Sequence, residues 1–341
     1  MNNTSRIDFI DLAKGFCILL VVFAHCCSHP GLETSMDDVL GSFRMPLYFF
    51  LSGLFFKMYD SFAGFVKRKI NKLLIPFVFF YLTCSVCLPN ILYELGYSVR
   101  NIENIGWLNS LSVIFSPTQR TFSNGPVWFL LCLFNINIIF YTLVLLTNRL
   151  KMNTVFLCLV CIAIGIFGGN LRSFDIQLPL YIDTALTSLP FFACGFFIKK
   201  YTNILTPNKE DRYLLLYACL CLAYTILFAD RTSFQHNEFG NLWSLYTCGI
   251  TGTLFVIFVA KMVGSLPLIS FFGRYSIIIL CTHQMVIQIV WLFVKRLAVN
   301  DWFIILLMLL LTLAIEMLLI PMFRKYMPHV TAQKDVIKID K

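Results

Sequence analysis

The stretch DLAKGFCILLVVFAHC, residues 11–26, sets Asp11, Lys14 and His25 in a run made mostly of Leu, Val, Ile, Phe and Ala. In a helix the eleven steps from Lys14 to His25 make about three turns, so the two side chains share one face roughly 16 Å apart along the axis. Asp11, three residues before Lys14, shares that face. A charged group in hydrocarbon costs on the order of 2.5–3.5 kcal/mol, so such groups face a protein interior or a wet cavity. The stripe reads as the wall of a polar path. The plainer reading has Lys14 snorkelling to the inner interface beside Asp11, with His25 at the outer end.

Further polar residues stand in apolar runs. In FRMPLYFFLSG (43–53) Pro46 opens a helix, and Arg44, two residues earlier at its outer mouth, suits an oxyanion or a carboxylate. Ser52-Gly53 lies deeper, where close helix packing is the plain role. In KRKINKLLIP (67–76) Arg68 and Lys72, one turn apart, suit phosphates as well as they suit a basic anchor. Trp128 in NGPVWFLLCLF (124–134) takes an aromatic-belt position. In GRYSIIILCTHQ (273–284) Arg274 marks the inner end of a span and His283 its middle, two turns beyond Ser276 on one face. A mid-membrane His is either a functional group or an interhelical hydrogen-bond partner. Glu316, deep in another span, needs a partner, for which Lys14 or a His would serve; Asp183 lies nearer the outer boundary and is expected to be solvated.

The elements that position these residues follow from composition. Of 341 residues, 58% are hydrophobic and only 13% charged, far more apolar than a soluble domain of this length. Apolar runs long enough to cross a core of roughly 30 Å alternate with short segments rich in charge, Pro and Asn. Ten spans are predicted, near 10–27, 43–58, 73–93, 127–147, 154–169, 179–198, 213–229, 242–263, 268–294 and 302–323. Continuous apolar runs without pairwise alternation favour helices over a barrel. The fold class is thus an all-α polytopic membrane bundle of about ten helices. Residues 1–323 form one membrane domain and 324–341 a solvated tail.

The net charge of +9 follows topology and does not call for nucleic acid. With ten spans, 19 Lys and Arg residues fall in the loops on the N-terminal side, against seven opposite: Arg44, Arg100, Arg120, Arg172, Arg231, Lys295 and Arg296. The positive-inside rule puts both termini in the cytoplasm. No cleavable signal is evident, so the first span is expected to be an uncleaved anchor. The long outer loop 94–126 has room for a re-entrant or surface-lying element. Most of the 13 cysteines fall within apolar spans and read as buried thiols. CSVC (84–87) and CLVC (158–161) have CxxC spacing but no second pair or nearby His, so no metal site is expected.

Taken together, RIDFIDLAKGFCILLVVFAH, FRMPLYFFLSGLFF, the basic run ending LLIPF, GPVWFLLCLF, SLPFFACGFFI and GRYSIIILCTHQ occur in the order found in the acyltransferase 3 family of membrane acyltransferases. The chain resembles that family over about residues 6–323. The Lys-Gly form of its first motif resembles the branch of fucose 4-O-acetylases and other polysaccharide O-acetyltransferases. The resemblance implies ten helices, acetyl-CoA or another acyl-CoA drawn from the cytoplasm as donor, and transfer to a sugar hydroxyl of a glycan or lipid-linked glycan. It implies that His25 is the catalytic His and that the chain sits among lipids of a bacterial inner membrane. The family's usual basic residue eleven before that His is Arg; here it is Lys14, a point charge in place of a bidentate clamp. No appended hydrolase-like domain follows residue 323, so transfer would be completed in the membrane domain or with a separate partner.

On this reading Lys14, Asp11, Arg68 and Lys72 serve the donor at the cytoplasmic end, and its arm runs along the first helix. His25 takes the hydroxyl proton as general base, or forms an acyl-histidine. Arg44, Ser52, Trp128 and His283 are candidates for acceptor or oxyanion binding. The rival is a glycan or solute transporter or flippase, since polar stripes also line permeation paths. No inverted repeat or clear pair of broken helices supports it. A P-loop, GxSxG and HExxH are absent too. A non-catalytic assembly subunit is the third class.

Overall fold

Nine helices among the described residues are long and apolar enough to cross a membrane. Hydrocarbon offers the backbone no partners, so each span must satisfy its own N–H and C=O groups as a helix. The computed structural model describes residues 7–28, 35–59, 61–96, 106–116, 123–206 and 209–338. Its helices are α1 (Asp8–Cys27), α2 (Ser35–Leu54), α3 (Phe62–Glu94), α4 (Trp107–Ser112), α5 (Trp128–Arg149) and α6 (Thr154–Asn170). There follow α7 (Ile182–Tyr201), α8 (Leu214–Phe228), α9 (Leu242–Val263), α10 (Pro267–Arg274), α11 (Ser276–Val294) and α12 (Asp301–Tyr326). The one sheet among the described residues is a two-residue hairpin that pairs Thr232 with Phe239 and Ser233 with Glu238.

The bundle is the all-α polytopic fold expected, with three differences in its spans; the third helix, expected at 73–93, begins eleven residues earlier, at Phe62. The second helix begins at Ser35, eight residues before the expected start. Its first turns carry Asp37 and Asp38, which read as loop in the sequence. Arg44 therefore stands about 13 Å into the helix and not at its mouth. Pro46 is interior too, so its ring takes a donor from the ladder. The expected ninth span, 268–294, is two helices. The chain turns at Tyr275, and the short α10 packs along α1 while α11 carries His283.

Glycines set the closest crossings. A Cβ on Gly53 of α2 would overlap the Phe192 carbonyl oxygen of α7, and one on Gly195 of α7 would overlap the Phe50 carbonyl oxygen of α2. Backbone thus meets backbone, the contact that small residues permit between membrane helices. Just past the end of α2, Phe56 meets Phe65, Phe140, Phe192 and Phe196 at centroid distances of 5.0–5.8 Å, joining that end to α3, α5 and α7.

Helix α3 carries two π-helical turns, Ile70–Leu74 and Leu82–Cys87. Pro76 and Pro89 follow two residues after each. A proline ring cannot bond to the carbonyl four residues back and crowds it, and a widened turn relieves the conflict. The first π turn holds the end of the chain. Buried Asn71 accepts from the N–H of Val336 (3.0 Å) and of Ile337 (2.9 Å) and donates to the Ile337 carbonyl (2.8 Å). The described residues after α12, 327–338, are thus docked on α3, with half of them exposed.

Candidate active site

Two imidazoles meet between α1 and α11. The rings of His25 and His283 have centroids 5.2 Å apart and planes at 47°. His25 is half-buried and His283 wholly buried. His283 Nδ1 lies 2.6 Å from the Ile279 carbonyl one turn back. A carbonyl only accepts, so Nδ1 carries the proton and Nε2 of the neutral ring presents a lone pair. That Nε2 is buried with no hydrogen-bond partner.

The neighbouring Thr282 hydroxyl lies 2.8 Å from the Ile278 carbonyl and 2.8 and 2.9 Å from the two carboxyl oxygens of Glu316 on α12. Glu316 is wholly buried. Its partner is therefore Thr282 and not Lys14 or a His, because α12 packs chiefly along α11.

Towards the other end of α1 lies a cavity of about 420 Å³, lined from α1, α2 and the residue after it, α3 and α5 by Lys14, Tyr48, Leu51, Ser52, Phe55, Lys69, Lys72, Leu73, Leu133 and Asn137. Three ammonium groups thus share one cavity whose remaining wall is polar or apolar but not acidic. The Phe55 ring faces two cations, with Lys14 Nζ 5.4 Å and Lys199 Nζ 5.5 Å from its centroid. Lys72 Nζ also reaches the Ala332 carbonyl at 2.8 Å and Asp335 at 3.2 Å. Along α1 the step from Lys14 in this cavity to His25 beside His283 spans roughly 16 Å.

Residues 7–320 match the family model of an acyltransferase domain, acyltransferase 3. The chain belongs to that family. No curated protein and no solved structure matches it. The acyltransferase is an integral, multi-pass membrane protein.

Not every residue singled out in the sequence joins that site. Lys14, Lys72 and Ser52 line the cavity of the acyltransferase. Asp11 turns to α10, where its carboxylate lies 3.8 Å from Arg274 Nε. Gly15 and Gly273 allow that contact, since a Cβ on either would overlap the facing backbone. Arg68 lies outside the cavity and stacks on Tyr59, 4.6 Å from the ring centroid. Arg44 belongs to the middle of α2, where its carbonyl accepts from Cys17 Sγ at 2.9 Å. Trp128 does not sit in an exposed belt: it is buried, with its ring 5.5 Å from that of Tyr181. Asp183 is buried and not solvated, accepting from the Thr184 N–H at 2.8 Å.

Sequence reasoning missed Lys69, Tyr48 and Asn137 in the cavity wall. Lys69 stands three residues before Lys72 and Arg68 four before it, so both share a face with Lys72 and spacing alone did not choose between them. Asn137 had a visible signal, a carboxamide in the middle of FLLCLFNINIIF. Of the long loop, residues 97–105 and 117–122 lie outside the described residues. Between them, α4 is tied to α3 by the Tyr81 hydroxyl, which donates to the Ser110 carbonyl at 2.6 Å.

Proposed function

We propose that this acyltransferase moves an acetyl or other acyl group from cytoplasmic acyl-CoA to a sugar hydroxyl of an envelope or exported polysaccharide, or of its lipid-linked precursor. In this reading the chain sits in a bacterial inner membrane with its basic end inward. The observation that carries it is the alignment on α1: Lys14 in a cavity shared with Lys69 and Lys72, and His25 against His283 about three turns on. Phosphates of the donor suit the ammonium groups. The acyl-bearing end of its arm then lies towards the imidazoles.

The step balances without a further reactant. The acceptor oxygen attacks the thioester carbonyl as His25 takes the hydroxyl proton, the C–S bond breaks, and the proton passes to the departing thiolate. An ester forms and CoA leaves as thiol. His283, with Nδ1 tied to Ile279, offers an acceptor at Nε2 and not a donor. It suits orienting the attacking hydroxyl or the His25 proton better than stabilising an oxyanion.

The test is transfer of labelled acetyl from acetyl-CoA to acceptor glycan by purified protein in lipid. Loss of a positioned base lowers the rate about 10²- to 10⁴-fold, so His25→Ala is expected to fall in that range. Full activity in an inserted His25→Ala protein excludes the assignment. Lys14→Ala is expected to raise the donor KM more than Lys14→Arg does; equal constants in all three forms exclude Lys14 from donor binding.

A further inference from the structure

One buried acceptor in the cavity wall has no role in the chemistry above. Asn137 is 1% exposed, and its Nδ2 donates to the Leu133 carbonyl at 2.7 Å. Only the NH2 group can face a carbonyl, so that bond fixes the orientation of the carboxamide and leaves Oδ1 as an acceptor. Oδ1 is buried and makes no hydrogen bond. On α2, the Tyr48 hydroxyl is also buried and makes no hydrogen bond. Both residues line the cavity that holds Lys14, Lys69 and Lys72. Buried polar groups in native proteins almost always find partners, so two unsatisfied ones on the same cavity point to a ligand that supplies them.

We infer that Asn137 and Tyr48 form a binding site for a secondary amide, which takes one amide of the donor's pantetheine arm. The inference rests on the donor reading above. A secondary amide offers one N–H and one C=O; Asn137 Oδ1 accepts from the first and the Tyr48 O–H donates to the second. The depth agrees. Asn137 lies nine residues from one end of α5 and twelve from the other, near the middle of the helix. An arm that starts at the lysines and ends at His25 passes that level. The arm is otherwise flexible, and a fixed amide halfway along it reduces the freedom lost when the thioester is held for attack.

Binding of two probes to the full chain in lipid nanodiscs separates the two ideas. Coenzyme A carries the phosphates and the amides; adenosine 3′,5′-bisphosphate carries the phosphates alone. Asn137→Leu and Tyr48→Phe are each expected to raise the Kd for coenzyme A about 5- to 10-fold, the effect of one buried hydrogen bond, and to leave that for the bisphosphate unchanged. Unchanged affinity for coenzyme A in both variants overturns the amide site, as does an equal loss for both probes. Tyr48→Phe removes a single oxygen, so it still decides the matter if Asn137→Leu fails to fold. The donor reading has its own failure: wild-type protein that binds neither probe, or a Lys72→Ala protein that binds the bisphosphate as wild type does. Either result takes the amide site with it.

Discussion

Asn71→Ala tests whether the chain's last residues are a docked part of the structure. Three hydrogen bonds converge on this side chain, from Val336 and Ile337 N–H and to the Ile337 carbonyl, at 2.8–3.0 Å. Each is worth about 1 kcal/mol net, and Asn71 is buried while the freed tail backbone regains water. The loss is therefore roughly 2–3 kcal/mol, or about 30- to 150-fold in the opening equilibrium. The Lys72 contacts with Asp335 and with the Ala332 carbonyl add little, since the Lys72 side chain is near half exposed. Amide hydrogen exchange in detergent reads the opening directly. Protection at Val336 and Ile337 is expected to fall by that factor in Asn71→Ala and by less than about fivefold in Lys72→Gln. Unchanged exchange in Asn71→Ala, or a larger effect from Lys72→Gln, refutes the reasoning.

Two other outcomes follow from packing and from hydrogen-bond pairing. Gly53→Ala forces α2 from α7 at a backbone crossing and is expected to cost about 3 kcal/mol, seen as a lower midpoint of thermal aggregation in detergent. An unchanged midpoint means that the two helices are not in backbone contact. Thr282→Val keeps the side-chain shape but strips Glu316 of its partner, at a cost of about 1–3 kcal/mol. Adding Glu316→Met removes both polar partners and is expected to restore much of the loss; additive destabilisation in the double variant contradicts the pairing.

The spans themselves were legible because hydrocarbon imposes one rule on every residue it touches, and the apolar runs from 127 to 263 match their helices within a few residues. Charge misled at the margins. Asp37 and Asp38 read as loop although the α2 backbone continues through them, since a helix need not end where the lipid does. The break at Tyr275 was invisible because α10 and α11 are both apolar and no Pro or Gly stands at the turn itself. At the site, Lys14 and His25 were legible because regular helical geometry places both on one face of α1. Lys69 was not, since Arg68 and Lys69 both lie one turn from Lys72 and spacing alone does not choose between them. The burial of Asp183 and Trp128 depends on which helices meet at that level, which the periodicity of one segment does not encode.

The crossing of Gly53 with Gly195 has a consequence for how this molecule can vary. Ser52 sits on one of the crossed helices, Phe55 just past its end and Lys199 on the other, so three groups at or beside the vestibule hang from a joint where main chain meets main chain. The bore of the vestibule is thereby uncoupled from the identity of the groups that furnish it. Side chains there can be exchanged to suit a different cargo while the frame keeps its gauge, whereas a single methyl group at the joint would spring the frame itself.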